Sequence, residues 1–201
     1  MKEIVLASAN QGKLREIQQV LTHLDLKLRP QSEFNISDAD ETGLTFVENA
    51  LIKARHASAI SGLPALADDS GLEVDALQGR PGIYSSRYAS DSTSASSNDS
   101  DNVQKLLLDL ANVPTAARSA RFQCVLVYLR HPEDPTPLIA QGCWEGTILK
   151  NTCGENGFGY DPVFYIPTLD CTSAQLDAQT KNQHSHRAQA LKQLVSMLGA
   201  V

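Results

Sequence analysis

The chain has 201 residues, 42% hydrophobic and 20% charged, with a net charge of −6. That length fits one domain, or one domain with two lobes, and it buries about 70% of its unfolded surface without staples. The acidic balance argues against duplex nucleic acid or an anionic membrane as partner, while leaving room for a small anion where cations cluster locally. The four cysteines, Cys124, Cys143, Cys153 and Cys171, form no C-x-x-C pair. They read as reduced thiols of a cytoplasmic protein rather than a zinc ribbon. The opening "MKEIVLASAN" holds an apolar run too short for a signal peptide, and no run approaches the roughly 20 apolar residues of a membrane span.

In chain order, "EIVLAS" is predicted as a buried strand, with Ile4, Val5 and Leu6 continuous. "NQGKLREIQQVLTHL" follows as a helix, with Leu14, Ile17, Val20, Leu21 and Leu24 at helical spacing. "LKLRP" reads as a second strand and "DADETG" as an acidic loop. Thr45 and Glu48 form a T-x-x-E capping box. The helix they open carries Phe46, Val47, Ala50, Leu51, Ala54, Ala57 and Ile60 on one stripe, and Gly62 and Pro64 stop it. "ALAD" is the next strand and "LQGRPGIYSSRY" a Gly/Pro turn region. Residues 90–101, "SDSTSASSNDSD", read as an exposed Ser-rich loop. "VQKLLLDLANV" is a helix. "RFQCVLVYLR" and "LIAQGCWEGTIL" are long strands, antiparallel neighbours across "HPEDPTP". "GENGFGYDPVFYIP" is a glycine loop running into a short strand. "SHRAQALKQLVSMLG" is a final amphipathic helix, with Leu191, Leu194, Val195 and Leu198 on one face. No internal repeat is present. Helices and strands alternate early and a meander follows, which predicts an α/β fold with a mixed sheet.

Four stretches have the residue types for chemistry, and each has a plainer reading beside it. "SANQGK" (8–13) is a strand-to-helix turn that puts Lys13 in the first helical turn. A cation is unfavourable at the positive end of a helix, unless an anion such as phosphate lies between them. It is not a Walker A loop, because G-K-L replaces G-K-[ST]. The plainer reading is a solvated lysine with Ser8 or Asn10 as cap. "DDSG" (68–71) sets Asp68 and Asp69 at the expected end of a strand, where α/β sheets bind ligands. With the acidic loop Asp38, Asp40 and Glu41 they suit Mg²⁺, which takes one or two carboxylates plus substrate phosphates. The plainer reading is an Asx-type turn before Gly71. In "GFGYDP" (157–162) the glycines permit close approach, Phe158 or Tyr160 is placed to stack on a base, and Asp161 to accept from a ring N–H or a ribose hydroxyl. The alternative is a tight turn with both aromatics in the core. "SHR" (185–187) opens the last helix with Ser185 as N-cap. His184 and His186 would diverge there, which disfavours a metal pair, and Arg187 repeats the misplaced cation of Lys13.

As a set and in this order, "SANQGK", "ETGLTFVENALIKARHA", "LADDSGLEVDALQGRPGIYSSRYA", "GFGYDPVF" and "SHRAQAL" resemble the inosine/xanthosine triphosphate pyrophosphatase family. The resemblance runs from Val5 to about Leu198. It implies an elongated, mixed, twisted sheet flanked by helices, with two lobes around an active-site cleft. It implies Mg²⁺-dependent hydrolysis of ITP, dITP or XTP to the monophosphate and pyrophosphate, by a cytoplasmic homodimer. Carried over by position, Ser8, Ala9, Asn10, Gln11, Gly12 and Lys13 form the phosphate-side loop, with Lys53 also facing phosphate. Asp69 is the catalytic acid, as general base or as holder of the metal, and Ser70 touches substrate. Phe158, Gly159, Tyr160 and Asp161 hold the base with Lys181 beside them, and His186 and Arg187 read the purine edge. The second metal ligand is Asp40 or Glu41, with Glu41 preferred. Asp40 stands where relatives commonly have a glutamate, and Thr180 stands where an acid is more usual.

The residues suit that chemistry. A triphosphate carries nearly four negative charges, which Lys13, Lys53, a helix N-terminus and Mg²⁺ would offset. Phosphoryl chemistry needs mainly positioning and charge stabilisation, so no nucleophilic cysteine or serine triad is required. A donor aimed at a 6-keto oxygen, from Arg187 or the backbone near it, would reject adenine's amine. Two alternatives differ in class: a metal-dependent nucleotide hydrolase with another base preference, and a nucleotide-binding regulator without catalysis. A regulator needs no water-activating carboxylate, so Asp69 beside Ser70 weighs against it.

Overall fold

A computed structural model of the chain describes residues 2–8, 11–21, 26–90 and 97–199, with only the backbone of residues 11, 12, 15 and 16. Ala9 and Asn10 of the phosphate-side loop and residues 91–96 of the Ser-rich stretch lie outside the described residues.

The early alternation becomes β1 (Lys2–Leu6), α1 (Gln11–Leu21), β2 (Leu26–Pro30), α2 (Phe46–Ser61) and β3 (Ala65–Val74). The meander becomes α3 (Asp99–Asp109), β4 (Ser119–Leu129), β5 (Leu138–Ile148), β6 (Phe164–Ile166), β7 (Cys171–Thr172), α4 (Ala178–His184) and α5 (His186–Leu198). The strands form one seven-stranded sheet in the order β2-β1-β3-β4-β5-β6-β7. β1 runs parallel to β2 and to β3, while β5, β6 and β7 are antiparallel. The strands on either side of the "HPEDPTP" turn are antiparallel as predicted. The Ile148 N–H donates to the Arg118 carbonyl at 2.9 Å, and three residues further along β4 Arg121 meets Glu145, three residues back along β5. The sheet is therefore mixed.

The chain forms two compact units. The first comprises Met1–Asp69, Cys124–Gly142 and Arg187–Val201. Its part of the sheet has a core on each face. Ile4, Leu6, Leu66, Cys124, Leu126 and Tyr128 pack with Ile17 and Leu21 of α1 and Leu191 and Leu194 of α5. The alternate residues, Val5, Ala65, Ala67, Val125 and Val127, pack against Ala50, Ala54 and Ala57 of α2. That is the period-two alternation of a strand buried on both sides. It also puts the β1-to-β2 and β2-to-β3 crossovers on opposite faces, so strand order reverses between β1 and β3. Ligands of open α/β sheets bind past the carboxyl ends of strands at such a point.

The second unit comprises Ser70–Gln123 and Cys143–His186. Its core joins Leu72, Val74, Val103, Leu106, Leu110, Phe122, Trp144, Tyr160 and Phe164.

Three expectations need correction. "ALAD" does not end at the acid pair: β3 runs ten residues through "DDSG" to Val74, so the Asx-turn reading is excluded. Asp99–Asp101, expected in the loop, already belong to α3, which Asn98 caps by accepting from the Asp101 N–H. Ile60 is 53% exposed, because the buried stripe runs 50-54-57 and Ile60 is rotated off it.

Candidate active site

Strand geometry explains why two adjacent carboxylates are tolerated. Successive side chains of a strand point to opposite faces. Asp68 takes the face of Leu66 and α1, and Asp69 the face of Ala67 and α2. Each acid has its own cations.

On the first face, Asp68 is 2% exposed and its two oxygens are divided. One pairs with the Lys13 ammonium. The other accepts from Arg187 Nε at 2.9 Å and from the Cys124 thiol at 3.4 Å. Burial, with Asp68 beside it, pushes the Cys124 thiol well up, so this cysteine is a neutral donor. The anion that the misplaced cations of two helix starts required is a side chain of the protein.

On the second face, Lys53 of α2 donates to Asp69 Oδ1 at 2.5 Å and lies 3.2 Å from Glu41. Burial alone would lower the Lys53 pKa, but Asp69 and Glu41 outweigh it and raise it, so Lys53 is charged. Asp69 is 8% exposed, and its Oδ2 has no hydrogen-bond partner. Burial raises its pKa above the ordinary value, helped by Glu41 and Asp68 and opposed by Lys53. A buried, half-satisfied carboxylate with a raised pKa is built to take a proton or to ligate a cation.

The acidic loop distributes its three acids. Asp38 accepts from Gln31 at 2.6 Å, Asp40 is exposed, and Glu41 turns to Lys53. The loop enters α2 under tight restraint. The Gly43 N–H donates to Asn49 Oδ1 at 2.9 Å, and the Leu44 N–H to Glu48 Oε2 at 2.9 Å. A Cβ on Gly43 would lie 2.5 Å from the Glu48 Cβ. The predicted capping box is present in part: Thr45 accepts from the Glu48 N–H, and Glu48 reaches back to Leu44.

In the second unit the loop "GFGYDP" is organised by Asp161, which is 2% exposed. It accepts from the Phe158 N–H and the Ser173 hydroxyl, each at 2.8 Å, and pairs with Lys181. Gly157 sits at φ +80°, and a Cβ there would meet Asp161 Oδ2 at 2.1 Å, so only glycine fits. The Gly159 N–H donates to Asp99 at 2.7 Å. Phe158 and Tyr160 part ways. Tyr160 is buried, with its hydroxyl on the Ser85 carbonyl at 2.8 Å, and burial raises its pKa. Phe158 is 49% exposed, and the Lys181 ammonium lies 4.8 Å from its ring centroid. His186 stacks on Phe122 at 4.8 Å.

The first unit thus brings together Lys13, Asp68 and Arg187, and separately Glu41, Lys53 and Asp69. Ser70 follows on β3 as the first residue of the second unit. Ser8 ends the stretch after β1. Gln11 and Gly12 open α1, described in their backbone only. Cys124, Asn49 and Ser173 were not singled out in the sequence. Cys124 is the fourth residue of its predicted strand and shares Asp68's face, a parity that a correct β3 length would have exposed. Asn49, a buried polar residue on an apolar helix, carried a weak signal. Ser173 carried none.

A family model described as the Ham1 family matches residues 4–197. A dITP/XTP pyrophosphatase from Vibrio parahaemolyticus is 56% identical over 200 residues, covering 100% of this chain and 98% of the relative. One from Vibrio cholerae is 56% identical over 194 residues, covering 96% and 95%. Among solved structures, a HAM1 protein from Coxiella burnetii matches with a TM-score of 0.93 at 51% identity, over 100% of both chains. The nucleoside-triphosphatase, dITP/XTP pyrophosphatase, from Mycobacterium abscessus matches with a TM-score of 0.79 at 36% identity, over 98% of this chain and 99% of that one. A model match over nearly every residue and relatives above half identity from end to end place the chain, plainly, in the Ham1 family.

Proposed function

We propose that the chain hydrolyses non-standard purine nucleoside triphosphates (dITP, XTP and ITP) to the monophosphate and pyrophosphate. It is a nucleoside triphosphate pyrophosphatase, as its relatives are named. The observation that carries the mechanism is Asp69: a buried carboxylate with a raised pKa, one oxygen on Lys53 and the other without a partner.

The residues fit a divalent cation such as Mg²⁺. Asp69 Oδ2 is an orphaned oxygen donor, and Glu41 reaches the same ammonium as Asp69. Among the described residues no group of three or more metal-ligating side chains converges. Two carboxylates completed by substrate phosphates are a normal Mg²⁺ set. Asp69 and Glu41 would hold the ion, with the exposed Asp40 as the lesser candidate. When bound, the ion would offset phosphate charge and acidify a ligating water.

The chain's own groups do the rest. Asp69 acts on the attacking water in one of two ways: it takes the proton through Oδ2, a contribution of typically 10² to 10⁴-fold, or it gives that oxygen to the ion that acidifies the water. Lys53 and Lys13, with the N–H groups that open α1, offset the charge of the polyphosphate. The family resemblance assigns the base to Phe158, whose ring in the second unit is half-exposed. Asp161 holds that loop in shape, with Lys181 beside the ring. His186 and Arg187 are the proposed readers of the purine edge.

No described helix is long and apolar enough to cross a membrane, and all four cysteines are free thiols. Those thiols support a reducing compartment, so the proposed enzyme is cytoplasmic. The family resemblance supports a homodimer, which sedimentation velocity would test.

The deciding experiment is pyrophosphate release from dITP, XTP, ITP, GTP and ATP, each with Mg²⁺ and with EDTA. Metal-dependent release from the first three, with GTP and ATP slow, is expected. Preference for a pyrimidine triphosphate, or binding without release, would overturn the reading.

A further inference from the structure

Lys13 is the third residue of α1 and Arg187 the second of α5. Both are cations in a first turn, where the helix dipole disfavours them. Each helix would be better served by an acid there, so something else must hold these residues in place. That something is Asp68. Its side chain is fully buried, one oxygen pairs with Lys13, and the other accepts from Arg187 Nε at 2.9 Å. Lys13 retains 21% side-chain exposure while Arg187 retains 5%. The buried acid thus anchors one cation that still reaches solvent and one that does not. The Cys124 thiol adds a neutral donor at 3.4 Å. Asp68 lies on the opposite face of β3 from Asp69, so it is outside the Asp69–Lys53–Glu41 cluster.

We propose that Asp68 is a positioning residue, which fixes the Lys13 ammonium and the Arg187 guanidinium at the starts of α1 and α5. This rests on the reading of Lys13 as a polyphosphate-binding group. With its side chain fully buried, the carboxylate acts through these two cations. It holds two long, flexible side chains in the geometry they need before any anion arrives. Without it, Lys13 would lose the buried charge that fixes its ammonium, and part of the binding energy would go into ordering it.

The test is a double-mutant cycle on Asp68→Asn and Lys13→Ala. It is read as kcat and KM for dITP and, without turnover, as affinity for inorganic tripolyphosphate. Asp68→Asn should lower kcat/KM about 10-fold or more, mainly through KM, since misplacement of a positioned group by about 1 Å can cost up to 10²-fold. In the Lys13→Ala background the same change should cost much less. A merely structural role would give equal losses in both backgrounds, and that result overturns the proposal. If Asp68→Asn does not fold, Asp68→Glu keeps the charge but moves it by one methylene. Loss of kcat/KM with an unchanged circular dichroism spectrum supports positioning, and wild-type kinetics overturn it. Failure of both variants to fold makes Asp68 a folding residue and also overturns it. If the wild-type protein releases no pyrophosphate yet the tripolyphosphate cycle is non-additive, the proposed function fails and the positioning role stands. Turnover with an additive cycle is the reverse.

Discussion

At the scale of single residues, the acid pair shows how much depends on which way a side chain points. Burial raises the Asp69 pKa. In the metal-free protein the Asp69 carboxyl should therefore titrate above the ordinary aspartate value of 3.8, which a carboxyl NMR titration measures. Asp69→Asn should lower kcat by about 10² to 10⁴-fold and leave the circular dichroism spectrum unchanged; near wild-type turnover would defeat the assigned role. The adjacency of Asp68 and Asp69 was plain in the sequence, and so was the oddity of Lys13 and Arg187 in first helical turns. Their common cause was not. It depends on residues 55 and 119 positions apart in the chain, and on β3 continuing where the acids suggested a stop. Phe158 and Tyr160 were likewise visible as a pair. The second unit's core, which takes the Tyr160 ring and offers its hydroxyl the Ser85 carbonyl 75 residues away, decides that Tyr160 is the buried one.

At the scale of elements, local signals were read well where the chain's own neighbours supply the physics. The cap at Thr45, the stop at Gly62 with φ +69°, and the hairpin between β4 and β5 are such cases. α4 was missed because its seven residues bury no side chain fully, leaving no apolar stripe to find. Two elements carry predictions. The acidic loop meets α2 through Gly43, where a methyl group would sit 2.5 Å from the Glu48 Cβ and 2.7 Å from Asn49 Oδ1. Gly43→Ala should therefore displace the loop, at a cost of about 1–3 kcal/mol for overpacking. On the proposed role of Glu41 as a Mg²⁺ ligand, it should also raise the Mg²⁺ concentration needed for half-maximal turnover, because the loop carries Glu41 away from Asp69. A metal titration and a urea melt check both. In the β4–β5 turn, Asp134 is 1% exposed and accepts from the Arg130 and Thr136 N–H groups, each at 3.0 Å, and from the Arg130 side chain. The Arg130 side chain and those backbone bonds hold its carboxyl well below the usual range. A depressed folded pKa contributes stability above the unfolded value of 3.8 that is lost as pH falls through the folded one. Asp134→Asn should lower stability by roughly 1 kcal/mol at pH 7, a small figure because the half-exposed Arg130 is screened by solvent. The gap from wild type should narrow in urea melts below pH 3.8, with kcat unchanged throughout.

At the scale of the whole molecule, the sequence allowed two lobes, but where one unit passes into the other was not legible from residues. Boundaries are read from linkers rich in Pro, Gly and polar residues. Here they fall at 69/70, 123/124 and 142/143, inside β3, β4 and β5, and at 186/187, inside α5. At the first three points the chain is in mid-strand and at the fourth one residue into α5, with no change of composition to mark them. That placement has a thermodynamic consequence. Neither unit is a continuous segment, and each completes its part of the sheet with halves of strands whose other halves belong to the other unit. Unfolding one unit frees the ends of three strands in the other, so the two cores should melt together as one domain. Scanning calorimetry should show a single transition with equal calorimetric and van't Hoff enthalpies, of roughly 140 kcal/mol near 60 °C at about 0.7 kcal/mol per residue. Two resolved transitions, or a van't Hoff enthalpy near half the calorimetric one, would mean that each core holds its strand halves unaided.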